Sequence, residues 1–162
     1  MIIKDFNPKK DLIFDLKVCE ACKSCKRYGL TGCCPPIIGN FEYYQKLLKR
    51  YANGKLFVEK YLVTDKSQWK EIGRSSSLNL HKTLIKEREQ LLNKGHYFNV
   101  ILGGGSCKYC EKCSIPCTMP QFRAIPIEAT GVNVVATLKK IGIIIKFPVK
   151  KELYRVGMLL WD

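Results

Sequence analysis

The sequence predicts an α+β fold: a single domain spanning 1-162, with a small β-sheet flanked by helices and two cysteine-rich loops at 19-36 and 103-120. Three observations carry this. Strand-like and helix-like segments follow one another without the strict alternation that builds a parallel sheet. A chain of 162 residues suffices for one core and is short for two. All nine cysteines fall in two bursts rich in glycine, proline and lysine, so the bursts read as loops pinned to the regular elements.

Taken in order, the first burst is "CEACKSCKRYGLTGCCPP", with Gly29, Gly32 and Pro35-Pro36 marking turns. "NFEYYQKLLKRYA" follows as a helix, because Phe41, Tyr44, Leu47, Leu48 and Tyr51 recur at helical spacing. Asn40 is placed to cap it and Asn53-Gly54 to stop it. "KLFVEKYLV" (55–63) has the aromatic and β-branched content of a strand. Residues 66–94 read as helical, with an interruption expected near Gly73 and Ser75-Ser76-Ser77. In the second half Leu84, Arg88, Leu91 and Leu92 share a face, and Gly95 is a natural stop. "YFNVIL" (97–102) is a second strand running into Gly103-Gly104-Gly105 and the second burst. A helix around 132–141 carries Val134, Val135, Leu138 and Ile141, and Gly142 would end it. "IIIKFPV" (143–149) and "LYRVGMLLWD" (153–162) supply two further strands.

Composition narrows the class of protein. With 46% hydrophobic and 26% charged residues, the chain is globular rather than disordered. No stretch approaches the ~20 apolar residues of a membrane helix. The opening "MIIKDFNPKKDLIFDLK" breaks its apolar residues with charges too often for a signal peptide, so a cytoplasmic location is expected. Thiols there stay reduced, so clustered cysteines point to metal or redox chemistry rather than disulfides, and an odd count would leave one unpaired. The net charge of +14 calls for an acidic protein or nucleic-acid partner.

The spacing names the chemistry. Cys107, Cys110, Cys113 and Cys117 form C-x2-C-x2-C-x3-C, the run of bacterial ferredoxins. Two-residue gaps let one loop curve round an iron–sulfur cube and send three thiolates to three iron corners; the fourth ligand arrives from further along the chain. Cys19, Cys22 and Cys25 repeat the triplet, with Cys33 and Cys34 following. Two triplets and two distal cysteines give eight ligands, hence two [4Fe-4S] clusters with one thiol to spare. Cys34 is favoured as the distal ligand because such cysteines tend to precede proline, as Cys34 precedes Pro35; Cys33 is the alternative.

Zinc is the rival metal, but all-cysteine zinc sites pair two separated C-x2-C units and do not crowd three cysteines into seven residues. Gly103, Gly104 and Gly105 lack a Cβ, so they let backbone N–H groups approach cluster sulfurs; a flexible joint would use glycine equally well. Lys23, Lys26, Lys108 and Lys112 would offset cluster charge, or are ordinary solvated side chains. His81, one of two histidines with His96, shares a helical face with Leu84 and Arg88; nothing in its spacing pairs it with a cysteine, so a packed or surface histidine is expected, with a cluster ligand or proton donor as the alternative. Glu128 reads as a capping or ion-pairing residue, with proton carriage as its alternative. Tyr43, Tyr44 and Tyr51, beside Lys46, Lys49 and Arg50, read as an amphipathic helix burying its tyrosines rather than a nucleic-acid stacking platform. No Ser-His-Asp or phosphate-loop pattern is legible.

The stretches "CKSCKRYGLTGCCPP", "LGGGSCKYCEKC", "PCTMP" and "RAIPIEATGVNVVATLKKIG" resemble a family of small microbial proteins known only as predicted metal-binding, a domain of unknown function. Tyr28 and Gly29 follow the first triplet as in that family, whereas Cys33-Cys34 stands where one cysteine is expected. The resemblance implies iron–sulfur binding and no particular reaction. Similarity to two-cluster ferredoxins is confined to the cysteine runs, and 72 residues separate Cys34 from Cys107, far more than that compact fold allows.

The functional expectation is an electron-transfer protein or redox subunit whose basic surface docks an acidic redox protein or enzyme. A cluster-dependent enzyme, with an open iron site for lyase or sulfur-transfer chemistry and RNA as a candidate substrate, is the alternative. A zinc-stabilised nucleic-acid module ranks third. No membrane partner is expected.

Overall fold

The computed structural model describes residues 1–145 and 151–162, with the backbone alone at Lys66. Its centre is a mixed five-stranded sheet built from β1 (Ile2–Phe6), β2 (Asn53–Leu62), β3 (Asn99–Gly103), β4 (Ile125–Pro126) and β5 (Glu152–Trp161). The strands lie in the order β1-β2-β5-β3-β4. Only the β3–β4 pair is parallel; the other neighbours run antiparallel. The long β2–β5 pair, in register from Asn53–Trp161 to Leu62–Glu152, is the spine of the fold. Five helices flank it: α1 (Pro8–Asp11), α2 (Leu16–Glu20), α3 (Phe41–Leu48), α4 (Trp69–Asn93) and α5 (Val134–Lys140). The architecture is α+β in a single small domain, with the cysteine-rich loops outside the sheet. Among the described residues no helix is long and apolar enough to cross a membrane.

Side-chain alternation along the strands divides the core in two. Leu56, Val58, Leu102, Val156, Met158 and Leu160 face the side covered by α3, α5 and the N-terminal segment. Phe57, Ile101 and Leu159 face the other side, where Leu80 and Leu84 of α4 pack on them. Gly157 sits under α4, and a Cβ there would come within 2.7 Å of a Leu84 methyl, so this glycine sets how closely the helix approaches. Capping follows the sequence pattern: Asn40 Oδ1 accepts the Tyr43 N–H at 2.9 Å, and Asn133 does the same for Ala136 at 3.0 Å. Tyr44, Leu48 and Tyr51 are buried, while Tyr43 is exposed.

The structure adds one element to the sequence reading and corrects two others. The N-terminal segment contains a strand, β1, which periodicity does not reveal because four of its five side chains are exposed on the sheet edge. The helix at 66–94 is not interrupted: α4 runs unbroken for 25 residues. Arg155 explains its small residues, donating from Nη2 to Gly73 O at 2.6 Å and from Nε to Ser76 Oγ at 3.0 Å. Gly73 leaves room for the guanidinium, and the Ser75 and Ser76 hydroxyls bond back to helix carbonyls instead of breaking the helix. Residues 143–145 form no strand, and the rest of the stretch assigned to 143–149 lies outside the described residues.

Candidate metal centres

The first burst begins on α2, which presents Cys19, and continues through a 3-10 turn over Ala21–Ser24 that carries Cys22. Cys25 follows at the end of that turn, and its sulfur accepts the Arg27 N–H at 3.5 Å. The chain then folds back on itself: Gly29 N–H donates to Pro35 O at 2.8 Å, and Cys34 N–H to Thr31 O at 3.2 Å. The second burst leaves the end of β3 through the triple glycine and returns to β4. Its loop is anchored to α4, where His81 Nε2 bonds Phe122 O at 2.8 Å and Arg88 bonds Gln121 O.

The two bursts meet. Gly32 N–H points at Cys113 Sγ (3.4 Å), Cys107 N–H donates to Cys33 Sγ (3.1 Å), and Arg123 donates to Gly32 O (3.1 Å). Gly32 is required for this lacing, since a Cβ would stand 3.0 Å from Ser114 O and 3.2 Å from Cys117 Cβ.

The cysteines divide among three spaces, two of which adjoin. Cys22, Cys25 and Cys34 line an open cleft of about 460 Å³, with Glu128 and Arg27 in its wall. Cys19 lines the adjoining cleft of about 280 Å³, which shares Tyr28 and Pro35 with the first. Cys107, Cys110, Cys113, Cys117 and Cys33 line a tight separate space of about 20 Å³, closed by Tyr109 and Phe122. Those two rings stack with centroids 4.6 Å apart. Cys33 therefore lines the space of the second run while remaining next to Cys34 of its own burst. Cys117 stays with its own run, and Cys34 with its own triplet.

The sulfurs differ electrostatically. Burial pushes the thiols of Cys19, Cys22 and Cys107 up from their ordinary range. Cys34 is drawn down to about 7, chiefly by the hydrogen bond from Cys33, whose own thiol is pushed up by that same bond and by burial. The pair sits with sulfurs 3.9 Å apart, and Thr31 Oγ1 lies 3.5 Å from Cys33 Sγ.

The glycines lie between the spaces. Gly103, Gly104 and Gly105 line a narrow gap with His81 and Cys107, and Gly105 also walls the Cys22–Cys34 cleft. Gly105 takes φ +79°, which only glycine adopts without cost, and its N–H donates to Glu128. Burial pushes the Glu128 carboxyl up. His81, read from the sequence as a packed or surface histidine with a cluster ligand or proton donor as the alternative, is buried with Nδ1 4.0 Å from Cys107 Sγ. Since Nε2 faces a carbonyl, it carries the proton and Nδ1 faces the sulfur with its lone pair; burial holds the ring's pKa down. Only the long-range docking of α4 on the loop creates this neighbour, so no local spacing could reveal it. His96 lies elsewhere, at the C-terminal end of the sheet beside Asp162.

The donor set is soft: sulfur suits iron–sulfur clusters, zinc and copper(I), and not magnesium or calcium. Among the described residues no three His, Cys, Asp or Glu side chains meet as the ligands of one metal ion would. The thiols instead stand around spaces. The first has room as it stands; that of the second run admits a group larger than water only if loop 107–117, which has no strand or helix of its own, moves outward.

An α+β domain whose nine thiols line adjoining spaces falls in the class of predicted metal-binding proteins. The family model for predicted metal-binding proteins, DUF2284, matches residues 7–161, and the chain belongs to this family. No curated protein and no solved structure matches it.

Proposed function

We propose that the chain holds two [4Fe-4S] clusters and passes single electrons between an acidic redox protein and an enzyme in the cytoplasm. The observation that supports this reading is the division of the cysteines: Cys22, Cys25 and Cys34 line one cleft with Cys19 on the cleft adjoining it, and all four of the second burst line a neighbouring space. Cys19, Cys22, Cys25 and Cys34 would hold the first cluster, and Cys107, Cys110, Cys113 and Cys117 the second. A bound cluster supplies one-electron chemistry at a potential set by hydrogen bonds and exposure. The chain supplies those bonds through the N–H groups of Arg27 and Gly32, which already face Cys25 and Cys113.

The surface around the first site suits a docking partner. Leu30 and Ile37 are exposed there, at 67% and 44%, amid exposed Lys23, Lys26 and Arg27. Exposed apolar and basic side chains near this site, with the chain's net charge of +14, favour an acidic partner, whose encounter they would accelerate in a salt-sensitive way. The test is potentiometric EPR on anaerobically reconstituted protein, followed by reduction kinetics with an acidic one-electron donor protein. Two interacting reduced centres and a reduction rate that falls with ionic strength are expected. A single centre, or a rate indifferent to salt, contradicts the reading.

One observation favours a second reading. The cleft holding Cys22, Cys25 and Cys34 is large and open and includes Glu128, whereas Cys19 faces the adjoining cleft. If Cys19 is dispensable for metal retention, the first site has three cysteine ligands and a position free for substrate, and the chain is a cluster-dependent enzyme. A Cys19→Ser variant that keeps all its iron would decide for it.

A further inference from the structure

Nine thiols against eight ligands leave one over, and the structure puts that one in a particular place. Cys33 is 1% exposed and the most buried of the nine. Its sulfur accepts the N–H of Cys107 at 3.1 Å, lies 3.5 Å from Thr31 Oγ1 and stands 3.9 Å from Cys34 Sγ. Cys107 and Cys34 belong to different sites. The Cys33 sulfur thus touches both groups directly, through the Cys107 N–H on one side and the Cys34 sulfur on the other, so a path through its side chain crosses from one thiol group to the other in two non-covalent steps.

We propose that Cys33 is a ligand of neither site and instead links them, carrying the electronic coupling between Cys107 and Cys34. This rests on the two-cluster reading. Its chemistry is simple: one electron leaves the reduced site and arrives at the oxidised one. Cys33 is neither oxidised nor reduced, no bond at it forms or breaks, and its proton stays in place. Sulfur suits the role because it is large and polarisable and bridges a gap that a hydroxyl would span poorly. Burial suits it too, since fixed hydrogen bonds in a dry surrounding need little rearrangement when charge moves. A second contact between the loops, Gly32 N–H to Cys113 Sγ, is longer at 3.4 Å and enters the turn at the backbone, bypassing the Cys33 sulfur.

The test uses the full chain with Cys33→Ala and Cys33→Ser, reconstituted anaerobically beside the wild type. Iron and sulfide are counted, and EPR spectra are taken fully and half reduced. The expected result is about eight irons in all three proteins. Each site's own spectrum should persist, with the exchange features between sites lost in Cys33→Ala and weakened in Cys33→Ser. Loss of about four irons in either variant makes Cys33 a ligand and overturns the proposal. Exchange features unchanged in Cys33→Ala overturn it as well. Should the alanine variant fail to load metal, the serine variant decides by the same two readouts. A wild type holding fewer than two clusters overturns this proposal and the reading beneath it together, and is recognised before any substitution is made.

Discussion

Cys33 and Cys34 are consecutive residues, yet they line different spaces: Cys33 that of the second cysteine run, Cys34 that of the first triplet. A single turn, closed by the Cys34 N–H to Thr31 O bond, thereby holds the two groups of thiols against each other. The consequences can be measured.

If the groups are separate sites, removing ligands from one should spare the other. Cys22→Ser with Cys25→Ser should halve the bound iron and leave the second site's spectrum intact, and Cys110→Ser with Cys113→Ser should do the reverse. Loss of all metal from either double variant would show that the nine cysteines serve one site.

Gly32 is the point where the loops touch. In Gly32→Ala the added methyl would meet Ser114 O and Cys117 Cβ at 3.0–3.2 Å, both on the neighbouring loop. Forcing them apart should cost about 1–3 kcal/mol of stability, as overpacking does. It should also weaken the second site more than the first. Urea unfolding and site-resolved spectra of the variant check both; wild-type stability would show that the loops are not tightly docked.

Tyr44 and Tyr51 are buried, and desolvation pushes each up to about 12. The folded state therefore keeps both protons where the unfolded chain, with phenols near 10, has lost them. Their contribution to stability is complete below about pH 10 and is lost as pH rises from there through 12. Absorbance at 295 nm should show the Tyr44 and Tyr51 phenols ionising late, well above pH 10. Tyr44→Phe should move alkaline unfolding to higher pH. Titration of all tyrosines in one step near 10 would contradict the burial.

How much of this was legible beforehand follows the range of the interactions. Helices α3 and α5 and strands β2, β3 and β5 announce themselves because each buries a periodic face, and Asn40 marks its helix start through a bond three residues away. The cysteine spacings are equally local, which is why the sequence points to metal at all. β1 is invisible because an exposed edge strand has no buried side to alternate. α4 is misread at Gly73 and Ser75–Ser77 because the partner that needs small residues there, Arg155, is some eighty residues distant. For the same reason neither the approach of His81 to Cys107 nor the placement of Cys33 among the second cysteine group can be read from spacing.

The most direct measurement of the central claim is native mass spectrometry of the protein isolated without exposure to oxygen. Two [4Fe-4S] clusters per chain, about eight irons and eight sulfides, are expected as the main species, with a single-cluster form appearing as the sample is oxidised. A chain that carries zinc, or that stays metal-free after reconstitution with iron and sulfide, would contradict the account.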